Sequence, residues 1–124
     1  MALGVQVTMD AADPAALARF WAVALGYRPA QPATEQWARI CDPDGAGPRL
    51  FFQRVDQAKV GKNRVHLDVH AGAAATGRQD RERMIRAHAD VLVAAGARLV
   101  EVRDEPDQFW IVMRDPEGNE FCVD

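Results

Sequence analysis

The side chains in this sequence that could do chemistry stand at alternate positions of short apolar segments. Alternate residues of a β-strand point to the same face of its sheet. One face of the predicted strands therefore carries Gln6, Trp37, Arg39, Phe51, Gln53, His66, Trp110 and Cys122. Aromatic walls with a few hydrogen-bonding groups are typical of a small-molecule pocket. We therefore predict that these eight residues contact a ligand.

The remaining acids, bases and nucleophiles form no catalytic set. The chain contains no serine, which excludes a serine triad. No glycine-rich segment has the spacing of a phosphate-binding loop. Cys122 would need a nearby cation or a helix N-terminus to become a nucleophile, so we predict a small buried thiol. The sequence therefore designates no catalytic residue and leaves open whether the protein is an enzyme.

An internal repeat organises the elements that must position these side chains. Trp37 stands five residues before Asp-Pro-Asp-Gly at 42–45, and Trp110 stands five residues before Asp-Pro-Glu-Gly at 115–118. Each copy follows a predicted strand and helix and precedes another strand, so each half of the chain reads β-α-β-β-β. We predict an α+β fold in a single domain, 1–124, with module one at 1–55 and module two at 64–124.

Periodicity gives the element bounds. In module one, a strand over 3–10 precedes a helix that Asp13 caps, Pro14 opens and Gly26 ends, and strands follow at 27–30, 36–42 and 49–55. In module two, a strand over 64–70 precedes a helix over 79–95 that stops at Gly96, and strands follow at 98–103, 108–114 and 120–124. The apolar residues expected beneath the helices are Val5, Val7, Met9, Leu50, Phe52, Val65, Leu67, Val69, Phe121 and Val123. The opposite faces would curl around one cleft.

Composition excludes several classes of function. The 124 residues are 48% apolar and carry a net charge of −3, without the basic excess of a nucleic-acid-binding protein. No apolar run is long enough for a membrane span, and we expect neither a membrane partner nor an export signal. Two cysteines are too few for a disulfide scaffold, which favours the reducing cytoplasm.

The paired modules resemble the vicinal-oxygen-chelate superfamily, which has the glyoxalase/bleomycin-resistance fold. The residues that carry this resemblance are 13–21 with Leu25-Gly26, Asn63-Arg-Val-His-Leu-Asp-Val and Asp115-Pro-Glu-Gly-Asn-Glu-Phe-Cys-Val. The resemblance implies an open eight-stranded, barrel-like cleft and a homodimer. It also implies a function between metal-dependent enzymes and drug-sequestering proteins, because the fold alone does not choose.

The resemblance also bears on metal binding. Metal-dependent members place His or Gln, Glu, His and Glu on the first, fourth, fifth and eighth strands. Here Gln6 and His66 fit the first and third of these positions, Gln53 or Phe51 takes the second, and Cys122 takes the last. Both carboxylates are missing, so we predict no cofactor. The alternative is a divalent metal ion held by Gln6, His66 and Cys122.

Three hypotheses follow. The leading one is a metal-independent protein that binds or sequesters an aromatic or drug-like molecule. The alternative is a metal-dependent lyase, isomerase or dioxygenase with an altered ligand set. The third is a structural or dimerisation module whose cleft is filled by side chains.

Overall fold

A computed structural model describes residues 1–124 and contains two compact units, Met1–Ala58 and Lys59–Asp124. The first unit contains β1 (Gln6–Ala11), α1 (Pro14–Leu25), β2 (Arg28–Pro29), β3 (Trp37–Cys41) and β4 (Arg49–Arg54). The second contains β5 (Asp68–Val69), α2 (Arg78–Ala94), β6 (Arg98–Asp104), β7 (Phe109–Arg114) and β8 (Glu120–Val123). The predicted α+β class and the repeated β-α-β-β-β order are confirmed.

The two units have the same sheet topology. The strand order is β1-β4-β3-β2 in the first sheet and β5-β8-β7-β6 in the second. The first and last strands of each unit pair in parallel, and the other neighbours pair antiparallel. The eight strands thus form two separately hydrogen-bonded sheets.

The sequence signals for the ends of α1 are confirmed. The Oδ1 of Asp13 accepts a hydrogen bond from the Ala16 N–H at 3.1 Å, and Pro14 occupies the first helical turn, where no N–H is needed. Gly26 ends the helix in the left-handed region at φ 68°. The helix buries one face against its sheet through Leu17, Ala18, Phe20, Trp21 and Ala24. Neither helix of the protein combines the length and apolar character that a membrane crossing needs.

The alternation of side chains between the two faces of each sheet is as predicted. On the helix-covered faces, the buried residues include Ala38, Ile40, Leu50, Phe52, Ile111, Met113, Phe121 and Val123. On the opposite faces, Trp37, Phe51, Trp110 and Cys122 are only partly buried. Each core therefore lies between one helix and one sheet face, and the other face is open to a different use.

Several predicted strands are shorter than expected, among them β1, β2 and β5, and at the starts of β1 and β5 two predicted core residues are exposed. Val5 is 73% exposed because β1 begins only at Gln6, where it pairs with Arg49. Pro48, the residue before Arg49, has no N–H and so cannot extend the hydrogen-bonded pairing of β1 with β4.

Val65 is 77% exposed because β5 contains only Asp68 and Val69. The Nδ2 of Asn63 donates to the Glu120 carbonyl at 3.0 Å, so a side chain takes an acceptor that a longer strand would use. His66 and His70 consequently flank β5 rather than belong to it.

The repeated Asp-Pro-acid-Gly segments are equivalent turns, one between β3 and β4 and one between β7 and β8. The Asp42 carboxylate accepts hydrogen bonds from the N–H groups of Asp44, Ala46 and Gly47. The Asp115 carboxylate accepts from Glu117 N–H at 2.9 Å and from Asn119 N–H at 3.0 Å. Gly45 and Gly118 have φ of 71° and 86°, a region that favours glycine.

Candidate ligand-binding site

In the first unit, three of the predicted ligand residues form one cluster on the sheet face opposite α1. Arg39 of β3 lies directly across from Phe51 of β4, and Trp37 is two residues along on the same face. The rings of Trp37 and Phe51 are stacked, with centroids 5.9 Å apart and planes 20° apart. We call Trp37, Arg39 and Phe51 the aromatic platform.

Arg39 is the charged member of the platform. Its Cζ lies 5.5 Å from the centroid of the Trp37 ring and 5.5 Å from that of the Phe51 ring, within the range of a cation–π contact. Its Nε is buried and has no hydrogen-bond partner. The platform thus joins two flat apolar surfaces to a cation with an unused donor.

The two predicted glutamines are engaged within the first sheet. The Oε1 of Gln6 accepts a hydrogen bond from Arg49 Nε at 2.9 Å. The Nε2 of Gln53 donates to Asp10 Oδ1 at 2.8 Å. Gln53 lies directly across from Trp37, so it borders the platform, whereas Gln6 pairs in register with Arg49 at the other end of the face.

Unit one also has an apolar groove of about 800 Å³ on the helix side, between α1 and residues 29–33. Of the eight predicted ligand residues, only Arg39 borders this groove. The remaining lining is mostly alanine, proline and valine, and Arg19 and Gln31 are its other polar side chains. The groove and the open sheet face are therefore different surfaces.

In the second unit, His66 and Cys122 come together with Asp68, which strand alternation places on the same face but which the sequence suggested as a rim carboxylate rather than a ligand residue. The Nε2 of His66 lies 3.0 Å from Asp68 Oδ1, and Asp68 is the register partner of Cys122 across β5 and β8. The ligating atoms of the three residues all lie within 4.8 Å of one another. Alternation gives the face of Asp68, but its position beside Cys122 depends on the parallel pairing of β5 with β8, which no local pattern encodes.

The Cys122 thiol is kept protonated by its surroundings. Partial burial raises the pKa of Cys122 above its usual value, and the carboxylates of Asp68 and Asp124 raise it further. A thiol in this environment is a poor nucleophile at neutral pH, in line with the predicted wall residue.

The donor set of this cluster nevertheless fits a metal ion. Imidazole nitrogen, carboxylate oxygen and thiolate sulfur are all zinc ligands, and three protein ligands leave a position open for water or substrate. His66, Asp68 and Cys122 would hold the ion, which would act there as a Lewis acid. Gln6, the remaining residue of the predicted alternative set, belongs to the first unit, where Arg49 donates to it.

Trp110 is the second predicted aromatic wall and stands at the position in β7 that Trp37 has in β3. It is half-buried, and the Cζ of Arg103 lies 5.5 Å from its ring centroid. Arg103 also pairs with Glu101 at 3.3 Å and with Glu105 at 3.1 Å. The sequence did not indicate Arg103, because only the pairing of β6 with β7 brings it beside Trp110.

We expect His70 to titrate above its ordinary pKa of 6.5, because Asp124 Oδ1 lies 2.6 Å from its Nδ1 and favours the imidazolium. A raised pKa in the folded state means that the pair stabilises the fold below pH 6.5 and that this contribution is lost as the pH rises through the folded-state pKa. NMR titration of the imidazole should show the raised midpoint, and Asp124→Asn should lower it. Identical midpoints in both proteins would contradict the assignment.

A family model described as a glyoxalase-like domain matches residues 6–123. The chain belongs to the glyoxalase-like domain family. A search of curated protein sequences found no significant match.

Solved structures of the glyoxalase/bleomycin-resistance group share the fold of this glyoxalase-like protein. A glyoxalase/bleomycin resistance protein/dioxygenase family enzyme from Burkholderia phytofirmans has a TM-score of 0.72 at 16% identity, covering 95% of this chain and 94% of its own. The bleomycin-binding protein of Streptomyces verticillus, complexed with copper(II)-bleomycin, has a TM-score of 0.62 at 20% identity, with 99% and 95% covered.

A third similar structure is a metal complex. A mutant of the fosfomycin resistance protein FosX from Listeria monocytogenes, bound to Mn(II) and a dihydroxypropylphosphonic acid, has a TM-score of 0.70 at 12% identity, with 99% and 90% covered. At these identities the similarity establishes the fold alone. The neighbours include both a ligand-binding protein and a metal-bound protein, so the chemistry of this glyoxalase-like protein must be argued from its own residues.

Proposed function

We propose that this protein binds or sequesters an aromatic small molecule on the sheet face that carries the aromatic platform, without a metal ion. The observation that carries the proposal is the stacked pair of Trp37 and Phe51 on the face that α1 does not cover. Half-buried aromatic rings on a face that is not needed for the core offer a flat apolar surface for stacking. The bleomycin complex of a structural neighbour supports the same class of function.

Three further residues have roles in the proposed binding of the ligand. Trp110 supplies a second stacking surface, and Gln53 and His66 orient the polar edge of the ligand by hydrogen bonds. That Trp37 and Trp110 form opposite walls of one cleft stays a prediction. The cytoplasmic location stays a prediction. The homodimer also stays a prediction, and the mass measured by sedimentation tests it directly.

We expect Trp37→Ala and Trp110→Ala each to weaken binding several-fold or more, because aromatic stacking contributes about 0.5–1.5 kcal/mol beyond area burial. Ligands would come from a tryptophan-fluorescence screen of planar aromatic metabolites and antibiotics, and affinities from calorimetry. Trp21→Phe is the matched control, since Trp21 is 1% exposed within the core and should not touch a ligand. A tight-binding ligand unaffected by the Trp37, Trp110 and His66 changes would contradict the proposal.

A second candidate function, a metal-dependent reaction, is favoured by one observation, the cluster of His66, Asp68 and Cys122. It predicts near-stoichiometric metal in protein purified without a tag. In that case His66→Ala and Cys122→Ser should both release the metal.

The metal-independent proposal predicts the opposite result for Cys122→Ser. Cys122→Ser should leave ligand affinity nearly unchanged, because the thiol is only a wall atom, and dialysis against a chelator should not change affinity either. Cys41→Ser is the matched control, since Cys41 is the other free, partly buried cysteine. Stoichiometric metal lost from His66→Ala but kept in Cys41→Ser would contradict metal independence.

A further inference from the structure

The repeat gives each unit one arginine beside one tryptophan, and the two arginines differ in their electrostatic surroundings. Arg39 lies 5.5 Å from the Trp37 ring, and Arg103 lies 5.5 Å from the Trp110 ring. Arg103 pairs with two carboxylates, those of Glu101 and Glu105. Arg39 pairs with none, and its contacts are the two rings of the platform.

The unpaired state of Arg39 has a free-energy cost. Its Nε is buried without a hydrogen-bond partner, although a guanidinium always carries its charge and has five N–H donors. Aromatic rings attract a cation through their π-faces but offer no acceptor to an N–H in the guanidinium plane. A buried donor left without an acceptor destabilises the protein that contains it. An acceptor supplied by a ligand would remove this cost.

The carboxylate closest to the platform in the strand register, that of Asp10, does not supply an acceptor to Arg39. Asp10 is the register partner of Gln53 on the same face, and its Oδ1 accepts from the Gln53 amide. Gln53 in turn lies across from Trp37, between this acid and the platform in the strand register. The platform therefore presents one cation beside two stacked rings, with no carboxylate of the protein paired to it.

We propose that the aromatic platform selects aromatic carboxylates, with the carboxylate on Arg39 and the ring on Trp37 and Phe51. A carboxylate matches the planar fork of a guanidinium and forms charge-assisted hydrogen bonds with it. This inference rests on the proposed function and adds the charge of the ligand to it. The second unit lacks this selectivity, because Glu101 and Glu105 already occupy Arg103.

The test compares naphthoate with naphthamide, which share a ring system and differ in charge. Calorimetry on the full-length protein should show naphthoate binding at least about tenfold more tightly, since hydrogen bonds between charged groups exceed those of neutral ones by that order. Arg39→Met should reduce naphthoate affinity to that of the amide. Arg39→Lys should keep part of the preference, because it retains the charge but not the fork.

Arg103→Met is the matched control and should leave the ratio of the two affinities unchanged. Equal affinity of the wild-type protein for acid and amide, a comparison that needs no variant, would overturn this inference and leave the proposed function standing. A preference that survives Arg39→Met, or that is lost in Arg103→Met, would overturn it as well. Failure of both compounds and of the wider screen to bind would overturn the inference and the proposed function together.

Discussion

Phe52→Ala should lower the free energy of unfolding by about 3–5 kcal/mol, the range for removing a buried aromatic side chain. Phe52 is 0% exposed and lies on the face of β4 that α1 covers, beside Leu50 and opposite Ala38. The substitution deletes a ring from the centre of the first core and leaves a cavity that the surrounding sheet and helix can fill only in part. Urea unfolding followed by circular dichroism measures the loss.

Phe51→Ala is the matched control for this prediction, because the two residues are neighbours on opposite faces of one strand. Phe51 is only partly buried, so its removal should cost roughly 1 kcal/mol of stability. The same substitution should weaken ligand binding, since it removes half of the Trp37 stack. Equal losses of stability in the two variants would show that Phe51 belongs to the core rather than to a binding surface.

Asp115→Ala should be the second strongly destabilising change, by about 2–4 kcal/mol, because it leaves buried donors without an acceptor. Asp115 is 3% exposed and accepts from the N–H groups of Glu117 and Asn119 and from the Asn119 side-chain amide. Together these bonds hold the β7–β8 turn in the shape that brings Glu120 opposite Arg114. Urea unfolding of Asp115→Ala and Asp115→Asn measures the effect, and the asparagine should be milder because it keeps one acceptor oxygen.

Asp42, the equivalent residue of the first unit, provides the comparison. Backbone N–H groups of Asp44 and Gly47 lower the pKa of Asp42 below its usual 3.8, with a further contribution from Ala46. A lowered pKa in the folded state means that this stabilisation is present above pH 3.8 and is lost as the pH falls through the folded-state value. Asp42→Ala should cost less than Asp115→Ala, because Asp42 is the more exposed of the two. Wild-type stability of Asp115→Ala would show that the turn does not depend on its carboxylate.

Local patterns predicted the fold well because they report local physics. Alternation of apolar and polar residues assigned Phe51 and Phe52 to opposite faces, and Asp13, Pro14 and Gly26 gave the ends of α1. The errors at Val5 and Val65 arise where the pairing of a strand stops. Pro48 offers no N–H to Val5, and the side chain of Asn63 takes the Glu120 carbonyl that a longer β5 would use. A strand pattern contains no information about the partner that stops it.

The candidate site was predicted less completely, for a related reason. The eight residues were chosen by face, and the structure does bring Trp37, Arg39 and Phe51 together. Arg103 beside Trp110 was missed, and Asp68 was expected at the rim rather than beside Cys122, because these neighbours come from separate strands that only the pairing brings together. The engagement of Gln53 by Asp10 was equally hidden, since it depends on the parallel register of β1 and β4.

The two units use the same turn and the same strand order but carry different side chains on their open faces. In such a module, the sheet face under the helix supplies the core that stabilises the fold. Substitutions on the other face therefore cost little stability. Duplication of such a module gives selection two faces to modify independently. One copy here holds a cation beside two stacked aromatic rings, and the other holds imidazole, carboxylate and thiol together. A doubled fold of this kind can acquire a new specificity in one half while the other half keeps the old one.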